Sequence, residues 1–345
     1  MKLQKPAPLR RRPLVTVVVP HYNYGQFLPV SVRSALDQRG VDVEVIIVDD
    51  KSTDGSEQVA RRLAEEHPQV TLVEHEQNMR HIRTYNDGLS RANGDYVVLL
   101  SADDALTTDS LTRSLALLEA HPEVGLVYGR VEWFDGEPPE FGPTREWWQI
   151  WRGDEWVDRV CHRGRNPIGN PEVVMRRSVY DDIGGYDPDF PHAGDMFMWL
   201  QAAARADVGF IGGPRQAYYR NHGGNMHTND FGGVLDDMTQ VRDVYRRFFV
   251  HDGFDLPGAG RMLHTAMKSV ARESLLRAAL LTAQGAPAET LAQLQRFAEE
   301  TAPHAADSAT WRWADLSRRR VAPAIRATES LRWKVRSRRT DLIGL

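Results

Sequence analysis

Five short apolar runs, separated by segments of helical spacing, constrain this chain more than any other feature. The runs are residues 14–19, 43–48, 70–73, 96–100 and 124–128. Each is rich in Val, Ile and Leu and nearly continuous rather than alternating, the pattern of strands buried on both faces. Between them, residues 27–38, 56–66, 85–92 and 110–120 carry helical periodicity. Strands and helices alternating in this way predict an α/β fold with a mostly parallel sheet covered on both faces. Ligands of such sheets bind beyond the carboxyl ends of the strands, so the polar residues that follow each run are the ones to inspect.

The rest of the chain reads differently. Residues 132–170 are rich in Trp, Pro and Gly, with Trp133, Trp147, Trp148, Trp151 and Trp156 among them. A strand is expected near 172–175, a helix near 196–206 and short strands near 208–211 and 217–219. From about 233 the pattern is helical. Three segments are therefore expected: a basic disordered tail over 1–13, an α/β domain over 14–232 and a helical extension over 233–345. The tail carries Lys2, Lys5, Arg10, Arg11 and Arg12 and no acid.

Charge and cysteine content remove several function classes. Lys plus Arg number 43 against 47 Asp plus Glu, a net charge of -4, so the whole-chain basic footprint of a nucleic-acid binder is missing. One cysteine, Cys161, excludes an intramolecular disulfide and a cysteine-rich zinc site, and fits a reducing cytoplasm. No run of 18 apolar residues suggests a transmembrane helix. No GxGxxG or GxxxxGK[ST] pattern is present.

The strand ends supply the chemistry. Pro20-His21-Tyr22-Asn23-Tyr24-Gly25 follows the first run, either an ordinary turn or a set of aromatic faces for a base. Asp49-Asp50-Lys51-Ser52-Thr53-Asp54-Gly55-Ser56 follows the second. Asp50 suits the imide of a pyrimidine, whereas Asp54 reads as a helix cap. Ser101-Ala102-Asp103-Asp104 follows the fourth. Adjacent carboxylates repel, and a hard divalent cation is the simplest way to keep both ionised, a solvated acidic turn being the alternative. Downstream, Asp195 heads an amphipathic helix, where it serves either the helix dipole or as a general base. Arg220 and His222 lie in a Gly-rich loop and could meet phosphate or metal, or be simple polar surface.

Taken in order, Pro20-x-Tyr22-Asn23, Val48-Asp49-Asp50-x-Ser52-x-Asp54-Gly55-Ser56, Asn78-x7-Asn86-x-Gly88-x5-Gly94-Asp95-Tyr96, Ser101-x-Asp103-Asp104, Arg176-Arg177-Ser178-Val179-x4-Gly184-Gly185-Tyr186-Asp187, Gly194-Asp195 and Tyr218-Tyr219-Arg220-x-His222 resemble the inverting glycosyltransferases of family 2, with the GT-A fold, over about residues 14–228. The resemblance implies a Rossmann-like sheet flanked by helices and transfer from a nucleoside-diphosphate sugar, UDP- or dTDP-linked, to an acceptor hydroxyl. It places Pro20, Tyr22, Asn23, Asp50, Ser52, Arg80, Ser101, Asp103, Asp104 and Arg220 on the nucleotide sugar. Asp103 and His222 would hold Mg²⁺ or Mn²⁺, and Asp195 would be the catalytic base. Asn170, Pro171 and Glu172 fall where donor sugar or acceptor is shaped. Two positions depart from the family pattern: Ser101 replaces the first aspartate of the DxD motif, and Met79-Arg80 stand where a glycine is usual. The acceptor would be a carbohydrate, a lipid-linked sugar or a small molecule, in polysaccharide, glycolipid or glycoconjugate synthesis.

Two further expectations concern aromatics. The Trp-rich segment could form a platform under an acceptor sugar or pack onto the core. Trp311, Trp313, Leu331 and Trp333, interleaved with arginines over 311–339, could seat the protein on the inner face of a membrane or be a solvated or oligomer-forming face. A sugar nucleotidyltransferase and a non-catalytic nucleotide-sugar or glycan-binding module are the rival readings.

Overall fold

The structure is a computed structural model that describes residues 4–142, 144–223 and 233–303. In chain order the first elements are β1 (Leu14–His21), α1 (Leu28–Leu36), β2 (Asp42–Asp49), α2 (Ser56–Glu66), β3 (Val70–Glu74), α3 (His81–Ser90), β4 (Tyr96–Leu99), β5 (Ala105–Leu106), α4 (Ser110–Ala120) and β6 (Val124–Phe134). There follow β7 (Trp147–Trp151), α5 (Gly153–Arg163), β8 (Val174–Arg176), α6 (Arg177–Ile183), α7 (Gly194–Arg205) and β9 (Asp207–Arg220). The last helices are α8 (Val234–His251), α9 (Ala259–Ala283) and α10 (Ala288–Thr301).

The sheet runs β3-β2-β1-β4-β8-β6-β9-β5, with β7 paired to β9 off that path. β1, β2, β3 and β4 are parallel, as the continuous apolar runs require. Val15, Val17, Val19, Val45, Ile47 and Val98 are buried in its core. β8 enters antiparallel between β4 and β6, and β6 and β9 are parallel to each other. The fold is thus α/β with a mixed, mostly parallel sheet flanked by helices. β7 and α5 lie inside the Trp-rich stretch that reads from sequence as irregular.

The motif glycines have packing reasons. A Cβ on Gly88 would stand 2.3 Å from Val18 Cγ1 and 2.9 Å from Val48 Cγ2, so only glycine lets α3 lie flush on β1 and β2. Asn86 donates its amide to the Tyr186 carbonyl and accepts the Tyr186 N–H, both at 2.8 Å. Gly185, at φ +98°, turns the chain into that clamp. The Asn-x-Gly and Gly-Gly-Tyr motifs are therefore two halves of one joint.

Two boundaries differ from expectation. Residues 4–13 are tied down rather than disordered. Gln4 bridges Trp148 through two backbone hydrogen bonds, Arg11 pairs with Glu119 and Asp95, and Arg12 pairs with Asp42. The tail's charges meet acids on the body, which a local reading of the tail cannot show. Contacts divide the described residues into two compact units, one up to Gly153 with 168–223, the other Asp154–Pro167 with 233–303. Within the second unit the Tyr245 hydroxyl donates to the Val160 carbonyl at 2.8 Å, and Ala271, Leu275, Ala298 and Ala302 form a small core. No helix among the described residues is long and apolar enough to cross a membrane. The basic segment 311–339 lies outside the described residues.

Candidate active site

The strand ends of the first unit carry three groups of side chains. The first surrounds Asp50, just beyond β2. Asp50 is 4% exposed. Its Oδ1 accepts the Met79 N–H at 2.6 Å and lies 2.8 Å from His75 Nδ1, while His75 Nε2 lies 3.3 Å from Asp87. Among the described residues no hydrogen bond reaches Asp50 Oδ2, which leaves an acceptor for a base imide. Tyr22 is exposed nearby in sequence, after Pro20 at the end of β1.

Asn23 and Ser52 join the loops rather than stand free. The Asn23 N–H donates to Ser52 Oγ at 3.0 Å, the Asn23 side-chain Oδ1 accepts the Thr53 N–H at 2.8 Å, and Ser52 Oγ donates to Asp49 at 2.5 Å. Both are positioned to hold the nucleotide loops together. Arg80 is exposed and sits at φ +65°, ψ 161°, a conformation that costs a non-glycine residue on the order of 1–3 kcal/mol. The missing family glycine is therefore visible as backbone strain.

The second group surrounds the turn after β4. Asp103 Oδ2 lies 3.0 Å from His222 Nε2. Asp104 is 2% exposed and accepts the Arg220 N–H at 3.0 Å. Burial, then the charge of Asp103, push the Asp104 carboxyl well above its ordinary range. The Arg220 guanidinium donates to the carbonyls of Asp103 (3.0 Å) and Gly136 (2.7 Å) and lies over the rings of Phe27 and Phe134. Asp104 and Arg220 thus lock the acidic turn to the end of β9. Ser101 contributes its carbonyl, which accepts Ser31 Oγ and the Asp104 N–H. His222 packs against Tyr24 and Phe27, joining this group to the first loop.

Whether these residues suit a metal can be judged from the donors. Among the described residues no set of three or more His, Cys, Asp or Glu side chains converges as a cage. One carboxylate and one imidazole fit a divalent cation whose remaining ligands are water and phosphate oxygens, the arrangement Mg²⁺ and Mn²⁺ favour.

The third group centres on Asp195, in the first turn of α7. The helix N-terminus should hold a carboxyl down, but burial wins. The carboxyl is pushed up to about 6, against a smaller pull from the Tyr186 hydroxyl. Tyr186 is placed by the Asn86 joint, and its ring packs on Tyr85 at 5.4 Å. Glu172 is 3% exposed, with Oε2 lacking any hydrogen-bond partner. Burial and the charges of Asp104 and Asp195 raise its carboxyl well above the ordinary range. His75 and Tyr85 stand outside the sequence motifs, and Tyr186 stands in one without a role read for it. His75 could have been singled out, because it follows the third strand directly.

A family model described as glycosyl transferase family 2 matches residues 16–184. A Mycobacterium tuberculosis protein called uncharacterized protein MT1568 is 30% identical over 221 residues, which are 61% of this chain and 68% of that relative. The chain belongs to glycosyltransferase family 2. It is an enzyme of that class. Across three curated relatives of this family 2 chain, the matched segment spans 60 to 68% of their length. The family match ends before Asp195, Arg220 and His222, so those positions stand on geometry.

Two solved structures share the fold. One is Staphylococcus aureus TarS in complex with UDP-GlcNAc, at TM-score 0.56 and 16% identity, covering 83% of this chain and 90% of that one. The other is the Pyrobaculum calidifontis mannosyltransferase PcManGT in complex with GDP-Man and Mn²⁺, at TM-score 0.55 and 22% identity, covering 93% and 88%.

Proposed function

We propose that this family 2 enzyme transfers a sugar, with inversion, from a UDP- or dTDP-linked donor to an acceptor hydroxyl. The observation that carries the reading is Asp195, a carboxyl raised to about 6 by burial, whose charge acts on the buried Tyr85 as do those of Asp103 and Asp104. A base of that strength is mostly deprotonated near neutral pH yet more basic than an ordinary carboxylate, which suits proton removal from a hydroxyl.

The steps follow from the three groups. Asp50 Oδ2 accepts the base imide N–H, and Tyr22 covers the base. Asp103 and His222 would hold Mg²⁺ or Mn²⁺ beside the donor diphosphate, and such a cation, when bound, would supply charge neutralisation for the leaving group. Arg220 keeps the acidic turn in place. Asp195 takes the acceptor proton as the acceptor oxygen attacks the anomeric carbon opposite the leaving group. The titrating base sets the pH dependence: turnover rises with pH through about 6 as Asp195 loses its proton.

A panel of nucleotide sugars with Mn²⁺, read by thermal shift and by released nucleoside diphosphate, tests this. Binding should raise the melting temperature for a uridine or thymidine donor, and Asp103→Ala should abolish the Mn²⁺-dependent part. A shift insensitive to Mn²⁺ and to Asp103→Ala would overturn the metal assignment. No shift with any donor would favour the glycan-binding reading.

A further inference from the structure

We propose that Trp133 and Tyr219 form a stacking platform for a pyranose ring of the acceptor, at the ends of β6 and β9 beside the Phe134–Arg220 pair. This rests on the transfer reading above and adds the acceptor's chemical class.

Burial sorts the tryptophans. Trp148, Trp151, Trp156 and Trp199 are 1–3% exposed and serve the core. Trp133 is 58% exposed. An indole in water forgoes the largest apolar burial that any side chain offers, so an exposed one at the strand ends, beside the Phe134–Arg220 pair, points to a ligand. Its ring lies 4.0 Å from that of Tyr219, its direct partner on the neighbouring strand, at 37°. With Tyr219 against one face of the indole, the exposed part of Trp133 offers an apolar surface. That surface matches the C–H face of a pyranose, whose hydroxyls point outward round the rim.

The strand pleat places this platform. Successive residues of β6 and β9 face opposite sides. Phe134 and Arg220, paired in register, face the donor side, where the guanidinium lies over Phe27 and holds the Asp103 carbonyl. Trp133 and Tyr219 must then face the other side, with Val131 and Ala217. There Gly169 brings the chain against Val131 and beside the Glu172 carboxyl, as a Cβ on Gly169 would show by standing 3.1 Å from Val131 Cγ2 and 3.3 Å from Glu172 Oε2. The platform therefore lies on the Val131 and Glu172 side of these strands, one residue along from the Arg220 that holds the acidic turn.

The test titrates methyl pyranosides of glucose, galactose, mannose and N-acetylglucosamine against the full chain by saturation-transfer NMR, in wild type, Trp133→Ala and Trp133→Phe. Nucleotide-sugar thermal shift with Mn²⁺ runs in parallel on all three. Saturation should reach the C–H protons of one ring face. Binding should weaken about tenfold in Trp133→Ala and be largely kept in Trp133→Phe, with the nucleotide shift unchanged. Equal saturation in Trp133→Ala overturns the platform. So does a wild-type chain that binds a nucleotide sugar but none of the glycosides. Glycoside saturation lost in Trp133→Ala, without any nucleotide shift, would uphold the platform and overturn the transfer reading.

Discussion

The end of β2 and the surroundings of Asp195 treat their carboxyls in opposite ways. At the end of β2, Asp50 receives a backbone N–H and an imidazole, and Asp49 receives Ser52. Elsewhere in the site, Glu172 Oε2 is buried without any donor, and burial outweighs the Tyr186 hydroxyl at Asp195. Donors fix an acceptor in place for recognition. Desolvation makes a carboxyl hold its proton more tightly, which suits proton transfer. The difference between binding and chemistry is therefore a difference in what surrounds the same functional group.

Four substitutions break or sharpen that contrast. Asp195→Asn should lower turnover by about 10²–10⁴-fold, leave donor binding intact by thermal shift and abolish the pH limb near 6. Normal turnover would remove Asp195 as the base. At the other end, Asp50→Ala should weaken nucleotide affinity by roughly ten- to a hundredfold without moving that limb, as calorimetry with the bare nucleoside diphosphate would show.

Glu172→Gln addresses stability. The folded protein holds a proton on Glu172 that the unfolded chain releases, so stability falls as pH rises above the ordinary carboxyl range. The amide has no such slope. Its melting temperature should exceed wild type by roughly 2–4 °C at about pH 8 and match it near pH 4. The smallest effect is expected from Arg80→Gly, which relieves the φ +65° strain and should stabilise by about 1 kcal/mol in urea melts. A destabilised variant would mean that the arginine side chain makes up for its backbone.

The two ends also differ in how much of them can be read from sequence. β1 to β4 are local apolar runs bounded by helices, and the bounds of α2 and α4 coincide with the expected ones. Asp50, Asp103 and Asp104 follow directly from those runs. The other half depends on distant partners. β5 has two residues, too few for a period. β9 reads as two strands because Gly212-Gly213-Pro214 interrupts it, yet Gly213 at φ +99° only bends it, and the register with β6 shifts nearby. The aromatic strand β7 shows no apolar run of the usual kind. The raised carboxyl of Asp195 is likewise a product of packing by residues remote in the chain.

The hydrogen bond from the Arg220 N–H to Asp104 spans 116 residues. During synthesis β1 to β4 emerge and can pair well before Arg220 is made. At ribosomal speeds the delay between the two residues is roughly 6–23 s. Over that interval the nascent chain has its nucleotide loops but lacks the buckle that steadies Asp104, and for most of it lacks Asp195 as well. Translation order therefore completes the Asp50 end of the site first and the Asp104 and Asp195 end last.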